Sequence, residues 1–274
     1  MKNFWQKTSL FLVTTALTIS APLMAWALEH DIVILHTNDI HCGINDNLGF
    51  AGLAQLKKDT LARTPNVALV DAGDAIQGAP IGKLSTGLAV VNIMNAVGYD
   101  FCIPGNHEFD YGMQRFLELI PQQKAGYYSA NFMDLRTHKQ VLPGYKILQF
   151  EDKKVAFVGA TTPEALTTST PTYFQNAKGE YIYSFCEDTS GKKLYKQLQK
   201  NINQARKQGA DYVFIVGHLG MDGTTPQWNS ENIAKNTTGI DGIIDGHSHE
   251  RFERVVQNKK GQDVLLAQTG TKLK

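Results

Sequence analysis

Four short apolar runs, at 32–35, 67–70, 213–216 and 240–244, each stop at a cluster of Asp, His or Asn. Runs this short and this rich in β-branched residues read as buried strands, so each polar cluster sits where a strand ends. In open α/β sheets, ligands bind outside the carboxyl ends of the strands. Further strand-like runs lie near 127–131, 155–159 and 264–268. Helical patterns fall between several of them. Residues 50–62 place Leu53, Leu56 and Leu61 near one face, and Thr86 caps a helix running through Ala96 to Gly98. Asp110 starts another that passes Ile120 and stops before Pro121, and 192–208 is a basic amphipathic stretch closed by Gly209. Strands alternating with helices predict an α/β fold.

The polar clusters are His36-Thr37-Asn38-Asp39-Ile40-His41, Asp71-Ala72-Gly73-Asp74, Gly105-Asn106-His107-Glu108-Phe109-Asp110, Gly217-His218 and Asp245-Gly246-His247-Ser248-His249. Carboxylates and an amide oxygen suit hard divalent cations, and imidazoles add affinity for Zn, Mn, Fe or Co. The mixture favours a catalytic metal pair over a Cys-rich structural zinc. Asp39 and His41, two apart, face the same side of an extended segment. A carboxylate bridging two cations holds them roughly 3.5 to 4 Å apart, where both attacking and leaving oxygens of a phosphoryl centre are stabilised. Asp74 is the natural bridge, and Asp71 is left with a structural role.

Gly105 lets the backbone approach the metals closely, and the Asn106 amide oxygen can ligate. His107 points at a leaving group while Asp110 accepts its other imidazole N–H, which fixes the tautomer. The alternative for Asp110, capping the helix that begins there, is compatible with that role. His218, His247 and His249 end apolar strands and support one another as ligands. His30, His36 and His138 lack such company, and His36, inside a strand pattern, is read as structural. Trp228 is read as a loop anchor rather than a substrate-facing aromatic.

These five motifs, in this order, resemble the 5′-nucleotidase family of calcineurin-like metallophosphoesterases, from about Asp31 to the C-terminus. The resemblance implies a four-layer sandwich of two mixed β-sheets flanked by helices. It also implies that Asp39, His41, Asp74 and His249 hold one divalent ion and Asp74, Asn106, His218 and His247 the other, with His107 and Asp110 catalytic. In that family the metal-binding domain continues through further strands, and a C-terminal domain stacks the nucleobase between aromatic side chains. Neither follows Lys274, so the domain at 28–274 is expected to be truncated, with the strand at 263–268 lacking its neighbour.

Lys plus Arg (27) nearly balance Asp plus Glu (26), so no global basic field recruits nucleic acid or anionic lipid. The N-terminus carries Lys2 and Lys7, an apolar stretch from Leu10 to Ile19, and Ala25-Trp26-Ala27. That pattern is a signal peptide over 1–27. A membrane anchor needs about 20 apolar residues, and Thr14, Thr15, Thr18 and Ser20 dilute this segment. Cys42, Cys102 and Cys186 allow at most one intramolecular disulfide and match no zinc motif; Cys42 and Cys102 are read as core thiols. Residues 161–178, rich in Thr and Pro, read as a long surface loop. Residues 78–85 lack the four-residue gap and the Ser or Thr directly after Lys that a phosphate loop requires.

The expected function is a periplasmic or secreted hydrolase of nucleotides or related phosphate esters, of 5′-nucleotidase type. It would use two divalent metal ions (Zn, Mn, Co or similar) and in-line attack by a metal-bridging hydroxide. The rivals are a 2′,3′-cyclic-nucleotide 2′-phosphodiesterase/3′-nucleotidase with the same metals, a non-catalytic binding protein that keeps the fold, and a fragment that does not fold stably alone. Retention of both His107 and Asp110 argues against a passive binder. The expected partner is a small phosphate ester, with no nucleic acid and no stable membrane anchor after leader cleavage; the oligomeric state is left open.

Overall fold

The computed structural model describes residues 11–12, 30–221 and 225–274, so the leader expected at 1–27 lies outside the described residues apart from Phe11–Leu12. In chain order come β1 (Phe11–Leu12), β2 (Val33–Thr37), α1 (Gly49–Leu61), β3 (Val67–Asp71), α2 (Pro80–Ser85), α3 (Leu88–Val97), β4 (Phe101–Cys102) and α4 (Met113–Leu119). The middle of the chain forms β5 (Met133–Asp134), β6 (Lys139–Gln140), β7 (Tyr145–Phe150), β8 (Lys153–Thr161), α5 (Ala165–Thr168) and β9 (Tyr183–Ser184). Then follow α6 (Lys192–Lys207), β10 (Tyr212–His218), α7 (Ser230–Asn236), β11 (Gly242–Ile244), β12 (Arg251–Gln257) and β13 (Asp263–Thr269).

The described residues form three sheets. The first runs β1-β2-β3-β4 and is parallel throughout, with Val33 opposite Val67 and Val70 opposite Phe101. The second runs β12-β13-β11-β10-β8-β7; its four central strands are parallel, and an antiparallel strand closes each edge. A small antiparallel sheet, β6-β5-β9, lies apart.

Alternation of side chains along each strand explains the layers. Val33 and Leu35 of β2, with Val67 and Leu69 of β3, pack beneath Phe50 and Leu53 of α1, Val90 and Met94 of α3, and Phe116 of α4. The alternate residues Ile34, Ala68 and Val70 face the other sheet, meeting Val155 and Phe157 of β8, Phe214 and Val216 of β10, and Ile244 of β11. The outer face of the second sheet, including Ala156, Val158, Val213 and Ile215, is covered by Leu194, Leu198 and Ile202 of α6 and Ile233 of α7. The result is helices, sheet, sheet, helices. Strands buried on both faces are apolar at every position, which is why the runs were continuous in the sequence.

Several sequence expectations change. Residues 127–131 form no strand: Tyr128 N–H donates to Cys102 O of the first sheet and Ala130 N–H to Gly159 O of the second. The segment ties two sheets instead of joining one. The helix expected from Asp110 starts at Met113, because residues 107–109 form a 3₁₀ turn and Gly112 sits at φ +91°. Asp110 therefore caps no α-helix. Thr86 ends α2 at φ +45°, and α3 begins after Gly87. Leu61, assigned to the apolar face of α1, is exposed. Residues 161–178 are a surface loop only in part: residues 161–166 and Phe174 are buried, with Phe174 5.2 Å from Phe109, while 167–168, 170–173 and 177–178 are exposed. The strand at 263–269 has neighbours on both sides, β11 and β12.

The three cysteines are free, and Cys42 and Cys102 are buried in the core. Trp228 packs against the α6–α7 core and donates its indole N–H to Asp188 O, as a loop anchor does. Among the described residues, no helix is long and apolar enough to cross a membrane.

Candidate active site

The five polar motifs follow the carboxyl ends of β2, β3, β4, β10 and β11, strands drawn from both large sheets. Beyond the strands the loops continue to pair. Asp39 N–H donates to Gly73 O and His41 N–H to Asp74 O, both at 2.9 Å, and His107 N–H donates to Asp74 Oδ1 at 2.8 Å. The last motif closes over the first, with His247 N–H on Asp39 Oδ2 at 3.0 Å. Glycine is required where the loops touch: a Cβ on Gly73 would lie 2.6 Å from Gly105 N, and one on Gly105 2.2 Å from Asp74 Oδ1. Gly105 thus permits loop-to-loop contact.

Glu108, to which sequence reasoning gave no role, fastens these loops. Its buried carboxylate accepts from the N–H groups of Asp74 (2.8 Å), Ala75 (2.8 Å), Ile76 (3.3 Å) and Gly105 (2.6 Å). Burial, and then the charge of Asp74, push its pKa up to about 7. Asn38 plays a similar part at the other edge, donating to Asp39 Oδ2 and Gly270 O, both at 2.6 Å. So does Asp245, whose Oδ1 accepts from Leu219 N–H at 2.9 Å beside His218. Five expected ligands adopt the left-handed region: Asp39 (φ +50°), His41 (+48°), Asp74 (+59°), His247 (+83°) and His249 (+57°). Each such residue costs about 1–3 kcal/mol and persists only where its surroundings over-determine it, a property typical of functional sites.

Two groups of donors converge. Donor atoms of Asp39, Asp74 and His218 lie within 4.8 Å of one another, as do those of Asp39, His41 and His249. Asp74 Oδ2 lies 3.0 Å from His218 Nε2 and 4.0 Å from His41 Nε2, between the two groups. Asn106 Oδ1 is 3.2 Å from His218 Nε2. His218 Nδ1 faces the Ala72 carbonyl at 2.8 Å and His41 Nδ1 the Gln77 carbonyl at 3.2 Å. Carbonyl oxygens only accept, so each Nδ1 carries a hydrogen and Nε2 is the ring nitrogen that a bound cation would take. The Nε2 atoms of His41 and His249 face each other at 3.0 Å. Donor atoms so gathered need protons or a cation among them, and the residues fit a divalent ion in each group.

The protonation equilibria carry the same signature. Burial would depress His218, but Asp74 and Asp39 raise its pKa to about 10. Burial would raise Asp74, yet His218, and after it His107 and His41, hold it below the usual carboxylate range. His41 is lowered by burial, whereas His249 is raised by its hydrogen bond to Asp39. Asp71, read as structural, is pushed well above its ordinary value by burial and accepts from Thr37 Oγ1 at 2.7 Å.

His107 stands at the edge of this cluster, its ring centroid 5.4 Å from that of His41. Its Nδ1 lies 2.6 Å from Asp110 Oδ2, and that hydrogen bond raises its pKa to about 9. Ser169 Oγ donates to the other Asp110 oxygen at 2.9 Å. His247 stands outside both donor groups; its ring lies 5.0 Å from that of His218, and its Nε2 is 3.0 Å from Glu164 Oε2. Sequence reasoning missed Glu164 and Ser169, which lie in the stretch taken for a surface loop. His30 pairs with Glu151 at 3.1 Å, and neither ring nitrogen of the buried His36 has a hydrogen-bond partner.

A sandwich of this kind, with carboxylates and imidazoles gathered at its strand ends, defines the metallophosphoesterase class. The chain belongs to the calcineurin-like phosphoesterase family, whose model matches residues 32–251. It is similar to a snake venom 5′-nucleotidase of Gloydius brevicauda, with 29% identity over 258 residues covering 88% of this chain and 40% of the relative. It is also similar to a 2′,3′-cyclic-nucleotide 2′-phosphodiesterase/3′-nucleotidase of Haemophilus influenzae, with 27% identity covering 87% of this chain and 40% of the relative. The fold matches that of a 5′-nucleotidase precursor from Thermus thermophilus with a TM-score of 0.72 and 24% identity, over 87% of this chain and 48% of that one. This chain therefore spans about two fifths of the length of these curated relatives.

Proposed function

We propose that this protein hydrolyses phosphate esters of nucleotides with two divalent metal ions. The observation that carries this reading is the pair of donor groups that share Asp39, with Asp74 Oδ2 3.0 Å from His218 of one and 4.0 Å from His41 of the other, beside a hydrogen-bonded His107–Asp110 pair. Asp39, His41, Asp74 and His249 would hold one ion, and Asp74, Asn106, His218 and His247 the other, with Asp74 bridging. When bound, such ions supply activation of water and neutralisation of charge on a phosphoryl group.

The chain's own residues supply the rest. Asp110 fixes His107 with the hydrogen on Nδ1 and supports its positive charge, so Nε2–H is available to donate to a phosphoryl or leaving-group oxygen. Glu108, whose carboxylate accepts from the main-chain N–H groups of Asp74, Ala75, Ile76 and Gly105, keeps Asp74 and the turn at Gly105 in register with that donor. The domain occupies 28–274 behind a leader at 1–27, and the protein works in the periplasm or outside the cell, a reading supported by the leader pattern. Relatives of the cyclic-phosphodiesterase type support a second substrate class for the same residues.

The test is metal analysis with parallel assays on AMP, a 2′,3′-cyclic nucleotide and p-nitrophenyl phosphate. About two ions per chain are expected, and Asp74→Asn should weaken both. One undisturbed site in that variant refutes the bridge; metal-independent turnover refutes the mechanism.

A further inference from the structure

We propose that Glu164 is a positioning residue that sets the tautomer and ring orientation of His247 and locks the same corner to the main chain at Thr225. This rests on the reading of His247 as a metal ligand and extends it outward from the cluster. Glu164 Oε2 lies 3.0 Å from His247 Nε2, and Oε1 accepts from Thr225 N–H at 2.9 Å. The Glu164 side chain is only 7% exposed. Both oxygens are thus committed, one to the ring and one to the chain beyond His218.

An ionised carboxylate accepts and cannot donate, so the His247 hydrogen must sit on Nε2 and the lone pair on Nδ1. His247 is held at two points: its main-chain N–H on Asp39 and its ring on Glu164. Two anchors leave the ring little rotational freedom, and its neighbour at 5.0 Å is His218, which faces Asp74 and Asn106. His41 and His218 are oriented by main-chain carbonyls; among these three imidazoles, only His247 relies on a charged side chain. Carboxylates behind metal-binding imidazoles both fix the tautomer and raise ligand basicity.

Glu164 is itself built in. Its N–H donates to Thr162 Oγ1 at 3.2 Å, and its carbonyl accepts from the N–H groups of Thr167 and Thr168, both at 2.8 Å. Ser169, at the end of the same short helix, holds Asp110. The segment after β8 therefore reaches a proposed metal ligand at one end and the His107–Asp110 pair at the other.

The experiment compares the intact protein with Glu164→Ala and Glu164→Gln, using ring-nitrogen NMR of metal-free protein, Co²⁺ titration against a competing chelator, and thermal unfolding. Metal-free wild type should show His247 hydrogenated at Nε2. Glu164→Ala should lose that preference and weaken one of the two ions by about 10- to 100-fold, the usual cost of removing such a partner, leaving the other ion as before. Glu164→Gln keeps the volume and one acceptor, so it should fold and recover part of the affinity. His247 hydrogenated at Nδ1 in the wild type would overturn the proposal, as would wild-type affinity for both ions in a folded variant. If the wild type bound no divalent ion, the metal reading would fail, and the tautomer measurement would still decide the role of Glu164.

Discussion

Lowering the pH from 7.5 to 5 should destabilise this protein through His36, in the middle of β2. The residue is 8% exposed, both ring nitrogens are buried without a hydrogen-bond partner, and burial lowers its pKa from 6.5 to about 4. A histidine whose folded pKa is depressed binds fewer protons than the unfolded chain, so stability falls as the pH drops through the window between 6.5 and 4. The interval of about 2.5 pKa units corresponds to about 3 kcal/mol in full, of which about 2 kcal/mol is lost by pH 5. That is a sizeable share of a typical 5–15 kcal/mol stability. Buried carboxylates with raised pKa, such as Asp71 and Glu108, act in the opposite sense, so the assay must isolate His36. His36→Leu removes the titrating ring at similar volume. Guanidinium unfolding of both proteins at pH 7.5 and pH 5, with identical metal content, gives the difference directly. The variant should be the more stable at pH 7.5, because an unsatisfied buried polar group costs about 1–3 kcal/mol. Its advantage should widen by about 2 kcal/mol at pH 5. An advantage independent of pH would refute the reasoning.

Glu108→Gln places an amide NH₂ against two main-chain N–H groups whichever way it turns, and should cost about 2–6 kcal/mol for two unpaired buried donors; an unchanged denaturation midpoint contradicts this. Gly105→Ala drives a methyl against Asp74 Oδ1 and should cost about 1–3 kcal/mol by overpacking together with metal affinity, read by calorimetry. His107→Ala should keep its metal content yet lose about 10²- to 10⁴-fold in kcat on a nucleotide, with a smaller loss on p-nitrophenyl phosphate; equal losses on both substrates would remove His107 from the leaving-group role. Ser169→Ala withdraws a hydrogen bond to a charged group, worth about 1.5 kcal/mol, and should lower kcat about tenfold with KM unchanged.

Local pattern carried much of this protein. The apolar runs marked strands buried on both faces, and because such strands expose no polar residue until they end, the Asp, His and Asn clusters stood out at the ends. The paired spacing of His107 and Asp110 was legible because both lie within one turn of chain. Boundaries were less legible where glycine decided them: Gly87 and Gly112 delay α3 and α4, and the helical pattern alone cannot see that delay.

Tertiary structure decided the choice of long-range partner. Composition alone reads 161–178 as a surface loop, but burial of 161–166 and of Phe174 against Phe109 anchors it, bringing Glu164 to His247 and Ser169 to Asp110. Residues 127–131 carry strand-like composition, yet their N–H groups are claimed by two different sheets. Glu108 stood in plain view within a quoted motif, and only the meeting of four main-chain N–H groups from two loops gave it a role. Periodicity and spacing are local properties and determined the strands and the donor types. Which carboxylate satisfies which distant N–H or imidazole depends on how two sheets stack, and that is settled by packing.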